Sequence, residues 1–171
     1  MSSKYANLSA TENSALDTVA ADLGVSADSL YKLINFESGW NPAARNPITG
    51  ATGLIQWENA TARDLGYNDA ADLLSQNPDR VSQLNVVYQY LAPYKPFAND
   101  QSLTMAVFYP AYRNVSPDTQ FPADVQRDNP DIKTPLDYMQ FVFGKNYIPP
   151  LAIAAGIAII VIAAILSRKG V

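Results

Sequence analysis

The stretch FESGWNPAARNPITGATGLIQW (residues 36–57) places one glutamate, Glu37, at the end of an apolar helix pattern and directly before a long turn-rich loop. Carboxylates are among the side chains least often taken out of water. A carboxylate on the apolar side of a helix therefore indicates a specific use, and the residues on either side of it decide both the fold and that use.

The residues before Glu37 predict two capped helices. Ser9 and Glu12 form a capping-box pattern, followed by apolar residues at helical spacing and a glycine. Ser26 can cap a second helix, whose apolar stripe continues to Glu37 and ends at Gly39. Glu12 is thus explained as a cap partner. Glu37 faces the core, where burial and the helix dipole raise its pKa; the alternative is a side chain that reaches solvent at a frayed helix end.

The rest of the chain also favours helices joined by loops. Residues 41–55 combine prolines, glycines and asparagines, which predicts a loop with turns. We find no alternating strand pattern and no repeat, so the fold is predicted to be mainly α. The further predicted elements are a short helix over 58–65, a helix from Asn77-Pro78 to Pro93, a helix over 103–109, an ordered loop or flexible flap over 112–133, and a helix from Thr134-Pro135 to Gly144.

The composition restricts the chemistry. A length of 171 residues suits one compact domain with an appendage, and a net charge of −4 without a basic run argues against nucleic acid as a partner. Without histidine or cysteine, the chain cannot build a Ser-His-Asp triad, a Cys-His pair or a common zinc site. We therefore expect no metal and no cofactor. Carboxylate chemistry remains, and the chain has only three glutamates.

The C-terminal residues 151–166 carry no polar side chain. With their neighbours they reach the ~20 residues that cross a bilayer core, and basic and aromatic residues flank them. This pattern predicts one transmembrane helix, with a buried core helix as the alternative. The predicted domains are a helical domain over 1–146 and a transmembrane helix with a short basic tail over 147–171.

Two linked motifs, ESGWNP at 37–42 and GATGLIQW at 50–57, carry a specific resemblance. Together they resemble the paired motif of the soluble lytic transglycosylase and goose-type lysozyme superfamily. The likeness is greatest to bacteriophage peptidoglycan-degrading proteins, in which GATGLIQ precedes a helix containing Thr-Ala, here Thr61-Ala62. It covers most of residues 9–112 and implies a lysozyme-like helical domain.

The resemblance also implies roles for single residues. Glu37 matches the sole catalytic acid, and Ser38 matches the hydroxyl beside it that helps to hold the glycan. Gln56 matches the glutamine that binds the sugar near the cleavage point. Asn41 belongs to the same motif and is a further substrate-binding candidate. Gly53 lets the backbone approach the substrate, although simple turn geometry also explains a glycine there.

One family feature is altered. Many members carry an Ala-Tyr-Asn-Ala-Gly segment whose tyrosine orients the acid, whereas residues 106–111 here are AVFYPA. Tyr109 is the candidate for that role, with the register between Phe108 and Tyr109 left open and a plain core aromatic as the alternative. Trp40 and Trp57 are sugar platforms or core residues, and packing is favoured because it is the commonest use of large aromatics.

The implied reaction uses one carboxyl group. Glu37 protonates the oxygen of the β-1,4 bond between N-acetylmuramic acid and N-acetylglucosamine, and then acts as a base. Attack by the muramic acid C6 hydroxyl gives a 1,6-anhydro sugar, which is the favoured outcome, and attack by water makes the enzyme a lysozyme. The predicted partner is the peptidoglycan glycan strand. The alternative function is a non-catalytic or peptide-cleaving wall-binding membrane protein of the same fold.

The predicted transmembrane helix adds an expectation about location. A single-pass, membrane-anchored wall-degrading domain fits the virion of a membrane-containing phage, where it opens the cell wall locally during genome delivery. A bacterial inner-membrane enzyme is the alternative, and the orientation across the membrane stays open. In the phage setting the expected partners are a lipid membrane and other virion proteins.

Overall fold

A computed structural model describes residues 4–148 of the chain. These residues form eight α-helices and two short 3₁₀ turns, with only isolated β-bridges within the loop before α3, so the prediction of a mainly α fold is confirmed. The helices are α1 (Ala10–Leu23), α2 (Ala27–Ser38), α3 (Asn59–Asp64), α4 (Ala70–Gln76), α5 (Arg80–Leu91), α6 (Asp100–Phe108), α7 (Ala123–Asp128) and α8 (Pro135–Phe143), and the 3₁₀ turns are Ala92–Tyr94 and Pro110–Tyr112.

The first two helices begin and end where the sequence predicts. The Ser9 hydroxyl accepts a hydrogen bond from the Glu12 amide at 3.2 Å, and the Glu12 carboxylate accepts one from the Ser9 amide at 2.7 Å. The Ser26 hydroxyl caps α2 by accepting hydrogen bonds from the amides of Asp28 and Ser29. Gly39 ends α2 in the left-handed conformation with φ of 59°, which glycine adopts without a Cβ clash.

The middle of the chain differs from the prediction. Helix α5 begins at Arg80 rather than at Pro78, because the Asp79 side chain accepts a bond from the Ser82 amide at 2.9 Å and is the better cap. Asn77 instead ends α4, a short helix that the pattern did not predict.

Residues 112–133, expected as an ordered loop or a flap, contain the short helix α7. Phe121 anchors this segment, since its side chain is buried and its amide donates to the Lys133 carbonyl at 2.8 Å. Leu136 donates its amide to the Pro117 carbonyl at 2.8 Å, which ties the segment to the start of α8. The ordered loop is therefore the alternative that the structure supports.

Helix α2 lies at the centre of the packing. It contacts α1 on one side and α6 and α8 on others, while α1 also packs against α5. Leu30, Leu33 and Ile34 of α2 are fully buried. The last turn of α2, which carries Glu37, is thus held by helices from both halves of the domain.

The predicted transmembrane helix at 151–166 lies outside the described residues. Nowhere in residues 4–148 is there a helix long and apolar enough to cross a membrane. The longest, α1, has 14 residues, which extend about 21 Å against a hydrocarbon core of ~30 Å. The described residues therefore give no support to the predicted single-pass architecture and membrane-anchored location, and the fold class is corrected to a mainly α domain.

Candidate functional site

The carboxyl group of Glu37 accepts a hydrogen bond at Oε1 from the hydroxyl of Tyr138. Burial raises the pKa of Glu37 to about 7, and the bond from Tyr138 opposes part of that rise because it favours the charged form. Burial, together with the charge of Glu37, holds the pKa of Tyr138 well above its usual value, so the phenol stays a donor. A carboxylic acid that remains half protonated near neutral pH can act as a proton donor.

Aromatic rings fix the position of Tyr138. Its side chain is only 1% exposed and lies in α8, which Thr134 caps. The ring of Phe108, from α6, stacks on it at 4.5 Å between centroids, and the ring of Phe36, from α2, meets it edge-on at 5.4 Å. Helix α8 therefore carries the donor, and rings from α6 and α2 hold it against the end of α2.

The residue predicted to hold the acid lies elsewhere. Tyr109 ends α6, and its ring packs 5.0 Å from Tyr112 and 5.8 Å from Phe121. The hydroxyl that contacts Glu37 belongs to Tyr138, which is 101 positions away in the chain. A signal was present, since Tyr138 lies on the apolar stripe of α8, but the pattern alone did not single it out.

The loop after α2 begins with two left-handed residues, Gly39 and Trp40, with φ of 59° and 63°. Trp40 is fully buried, and its indole nitrogen donates to the Tyr31 carbonyl at 3.2 Å. Arg80 donates its Nε to the Trp40 carbonyl at 2.7 Å. Trp57, which is 2% exposed, is equally part of the core, so the packing role favoured for both tryptophans is confirmed.

Gln83 of α5 ties the two halves of the loop between α2 and α3 together. Its Oε1 accepts the Leu54 amide at 3.0 Å, and its Nε2 donates to the Pro42 carbonyl at 2.9 Å. Gly53 has φ of 75°, and a Cβ there would lie 2.7 Å from the Trp57 ring and 2.9 Å from Gln83 Oε1. Turn geometry and the lack of space therefore require glycine at this position. No sequence pattern indicated a role for Gln83.

The other predicted residues have different surroundings. Gln56 is half-buried, has φ of 57°, and donates its side-chain amide to the Gly53 carbonyl at 3.0 Å. The Ser38 hydroxyl donates to the carbonyl four residues earlier in α2 at 3.1 Å. Asn41 is exposed, and its side-chain oxygen accepts the amide two residues later at 3.0 Å. The structure thus places Ser38 and Asn41 at the start of the loop and Gln56 at its end.

A cleft of about 540 Å³ lies beside the loop. This volume is within the range of small-ligand sites. Glu37 itself does not line the cleft, but Phe108 does, and its ring stacks on Tyr138, whose hydroxyl bonds Glu37. The lining residues include Ile55, Gln56, Trp57, Glu58, Thr61, Asp64, Tyr90, Tyr94, Val107 and Phe108.

Two aspartates that the sequence could not place are now located. Asp64, at the end of α3, lines the cleft together with Glu58. Asp100 instead accepts hydrogen bonds from the hydroxyls of Ser29 at 2.7 Å and Tyr147 at 2.8 Å. Asp64 and Glu58 are therefore the carboxylates that the cleft adds to Glu37.

Comparison with known proteins supplies a family for this geometry. Residues 15–107 match the family described as "Transglycosylase SLT domain". The chain is also 27% identical over 131 residues to "Membrane-bound lytic murein transglycosylase F 2" of Alkalilimnicola ehrlichii. The matched stretch covers 77% of this chain and 29% of that protein. The chain thus spans less than a third of the relative's length. Tyr138 lies outside the family match.

Proposed function

Since the chain belongs to the transglycosylase SLT domain family, we propose that it cleaves peptidoglycan as a lytic transglycosylase with Glu37 as its single catalytic acid. The family match and the lytic murein transglycosylase relative support peptidoglycan lytic transglycosylase activity. The observation that carries the assignment to Glu37 is its half-buried carboxyl, which accepts a hydrogen bond from Tyr138 and whose pKa burial raises to about 7.

In the proposed reaction, the protonated carboxyl of Glu37 gives its proton to the oxygen of the β-1,4 bond between N-acetylmuramic acid and N-acetylglucosamine. Because Tyr138 holds Oε1, the proton leaves from Oε2. As the bond breaks, the substrate's acetamido group stabilises the positive charge at the anomeric carbon of the N-acetylmuramic acid. The Glu37 carboxylate then removes the proton of the muramic acid C6 hydroxyl. The C6 oxygen attacks the anomeric carbon of the same sugar and closes the 1,6-anhydro ring.

The loop supplies the proposed contacts to the sugar. Gln56 lines the cleft, and its left-handed backbone is a strained conformation of the kind that clusters at binding sites. Ser38, Asn41, Gly53 and Tyr109 stay predictions as substrate contacts. A virion role in local wall opening during genome delivery rests on the resemblance of the loop motif, and it also stays a prediction.

Product analysis tests the proposed reaction directly. Digestion of purified sacculi followed by mass spectrometry should give 1,6-anhydro disaccharides. New reducing ends alone would indicate hydrolysis, in which Asp64 or Glu58 of the cleft is available to position water. Cleaved peptides, or no product, would favour the alternative function of a wall-binding protein and would contradict the proposal.

The pH dependence of cleavage should report the environment of Glu37. The acid must be protonated, so the alkaline limb of the rate profile should fall near pH 7. Tyr138→Phe removes a bond that favours the carboxylate and should move this limb upward by about one pH unit, for a bond worth ~1.4 kcal/mol. The measurement is the pH profile of kcat/KM on sacculi.

Tyr109→Phe is the matched control for that profile. It also removes one tyrosine hydroxyl, but from the residue that the sequence favoured as the partner of the acid. We expect its alkaline limb to stay at the wild-type position. A limb that moves in Tyr109→Phe and not in Tyr138→Phe would show that the hydrogen bond described here does not set the pKa of Glu37.

A further inference from the structure

Two neighbouring phenylalanine rings lie exposed, and one of them belongs to the residue before Glu37 in α2. Phe36 precedes Glu37 in α2 and is 39% exposed, and Phe141 lies in α8 and is 47% exposed. Their ring centroids are 6.3 Å apart. Large apolar side chains exposed side by side, next to a functional group, are typical of a binding surface.

The rings continue a row that starts in the cleft. Phe108 lines the cleft and stacks on Tyr138, Tyr138 meets Phe36 edge-on, and Phe36 in turn meets Phe141. Tyr138, the second ring of the row, bonds Glu37. The cleft lies at one end of this row and the exposed pair at the other, and the ring that bonds Glu37 stands between them. A polymer cut at Glu37 must continue past it in both directions.

Polar groups surround the outer end of the row. A cavity of about 380 Å³ borders Phe141 and is also lined by Asp131, Asp137, Gln140 and Lys145. Carboxylate, amide and ammonium groups beside an aromatic face suit a ligand that is apolar on one side and rich in hydroxyls at its edge. A pyranose ring has this character, because its axial C–H bonds meet the negative face of an aromatic ring while its hydroxyls point outward.

We propose that Phe36 and Phe141 form an accessory glycan-binding surface, on which a saccharide unit stacks at a distance along the strand from the bond cleaved at Glu37. The inference rests on the proposed function and deepens it. Continuity with Glu37 through the ring row favours the glycan as the occupant. Two rings are also far smaller than the ~800 Å² per partner that a stable protein interface buries.

The test is the kinetics of Phe141→Ala on peptide-free glycan strands. Loss of one stacking ring should raise KM about three- to tenfold and leave kcat unchanged, since the contact is the same in the ground and transition states. Phe141→Tyr keeps the ring and should restore the wild-type KM. Ile148→Ala is the matched control, because Ile148 is an apolar side chain that is 36% exposed and lies outside the ring row, the loop and the cleft.

Each other outcome overturns the inference. An unchanged KM for Phe141→Ala excludes stacking, and an effect seen only on strands that carry stem peptides makes the peptide the occupant. Loss of self-association with KM unchanged makes a second copy the occupant. If Phe141→Ala proves unstable, Phe141→Leu keeps an apolar side chain without a ring and should show the same rise in KM.

This test separates the surface from the activity. If the wild-type protein cleaves no glycan, the proposed function fails, and binding of peptide-free strands by Glu37→Gln with and without Phe141→Ala still measures the surface. Equal binding by the two proteins overturns the inference. If the wild type cleaves glycan and Phe141→Ala has the wild-type KM, only the accessory surface fails.

Discussion

Replacing Glu37 by glutamine is expected to lower peptidoglycan cleavage by about 10²- to 10⁴-fold, the usual contribution of a general acid, with the upper end expected for a sole acid. The amide keeps the size of the side chain and can still accept the bond from Tyr138, but it has no acidic proton to deliver. The measurement is the rate of soluble product release from purified sacculi. Activity within tenfold of wild type would contradict the assignment of Glu37 as the catalytic acid.

Glu12→Gln is the matched control for this loss. Glu12 caps α1 and lies 3.4 Å from Arg80, so its glutamine keeps the cap acceptor and should retain most of the activity. Glu58 is a poor control, because it lines the cleft.

The unfolding temperature of Glu37→Gln shows whether a loss of activity comes from lost catalysis or from misfolding. The folded protein holds the Glu37 proton up to about pH 7, whereas an unperturbed glutamate releases it near 4.5. Wild-type stability therefore falls as the pH rises between these values, and above pH 7 the whole penalty is present. Glutamine does not ionise, so the inactive variant should unfold at a higher temperature than the wild type at pH 8.

The second large effect is expected from Gly53→Ala. Its φ of 75° is unfavourable for a residue with a Cβ, at ~1–2 kcal/mol, and overlap with the Trp57 ring and Gln83 Oε1 adds ~1–3 kcal/mol. We expect the free energy of unfolding to fall by roughly 2–5 kcal/mol, measured by urea denaturation. Movement of Trp57 to relieve the overlap should also weaken cleavage, because Trp57 lines the cleft.

Gly24→Ala isolates the overlap from the backbone strain. Gly24 has φ of 73°, nearly the value of Gly53, but a Cβ there has no atom within 4 Å. The free energy of unfolding of Gly24→Ala should fall only by the ~1–2 kcal/mol that the left-handed conformation costs a residue with a Cβ. Equal losses in the two variants would show that the contacts around Gly53 can relax, and that the loop is less tightly packed than the structure indicates.

The parts of the fold that the sequence predicted depend on neighbouring residues. The capping pair of Ser9 and Glu12 and the turn at Gly39 act over a few positions, so α1 and α2 could be placed from the pattern. The apolar stripe of α2 also predicted the raised pKa of Glu37, which the structure confirms. Local chemistry thus singled out Glu37 before any tertiary contact was known.

The missed features depend on contacts between distant parts of the chain. Tyr138 meets Glu37 only because α8 packs against α2, and Gln83 meets the loop only because α5 lies behind it. The start of α5 was misplaced for a local reason, since two competing caps, Asn77 and Asp79, stand two residues apart. Periodicity cannot rank such caps, and it has no information on which helices meet.

The bond between Glu37 and Tyr138 couples the acid to the order in which the chain is made. Synthesis releases α2 early and α8 late, and the two lie 101 positions apart at the bond. Before α8 docks, Glu37 lacks the hydrogen bond from Tyr138 and the burial that α8 adds, so the surroundings that set its pKa are incomplete. A ribosome-bound or truncated chain that ends before Thr134 therefore carries the ESGWNP motif without the complete surroundings of Glu37.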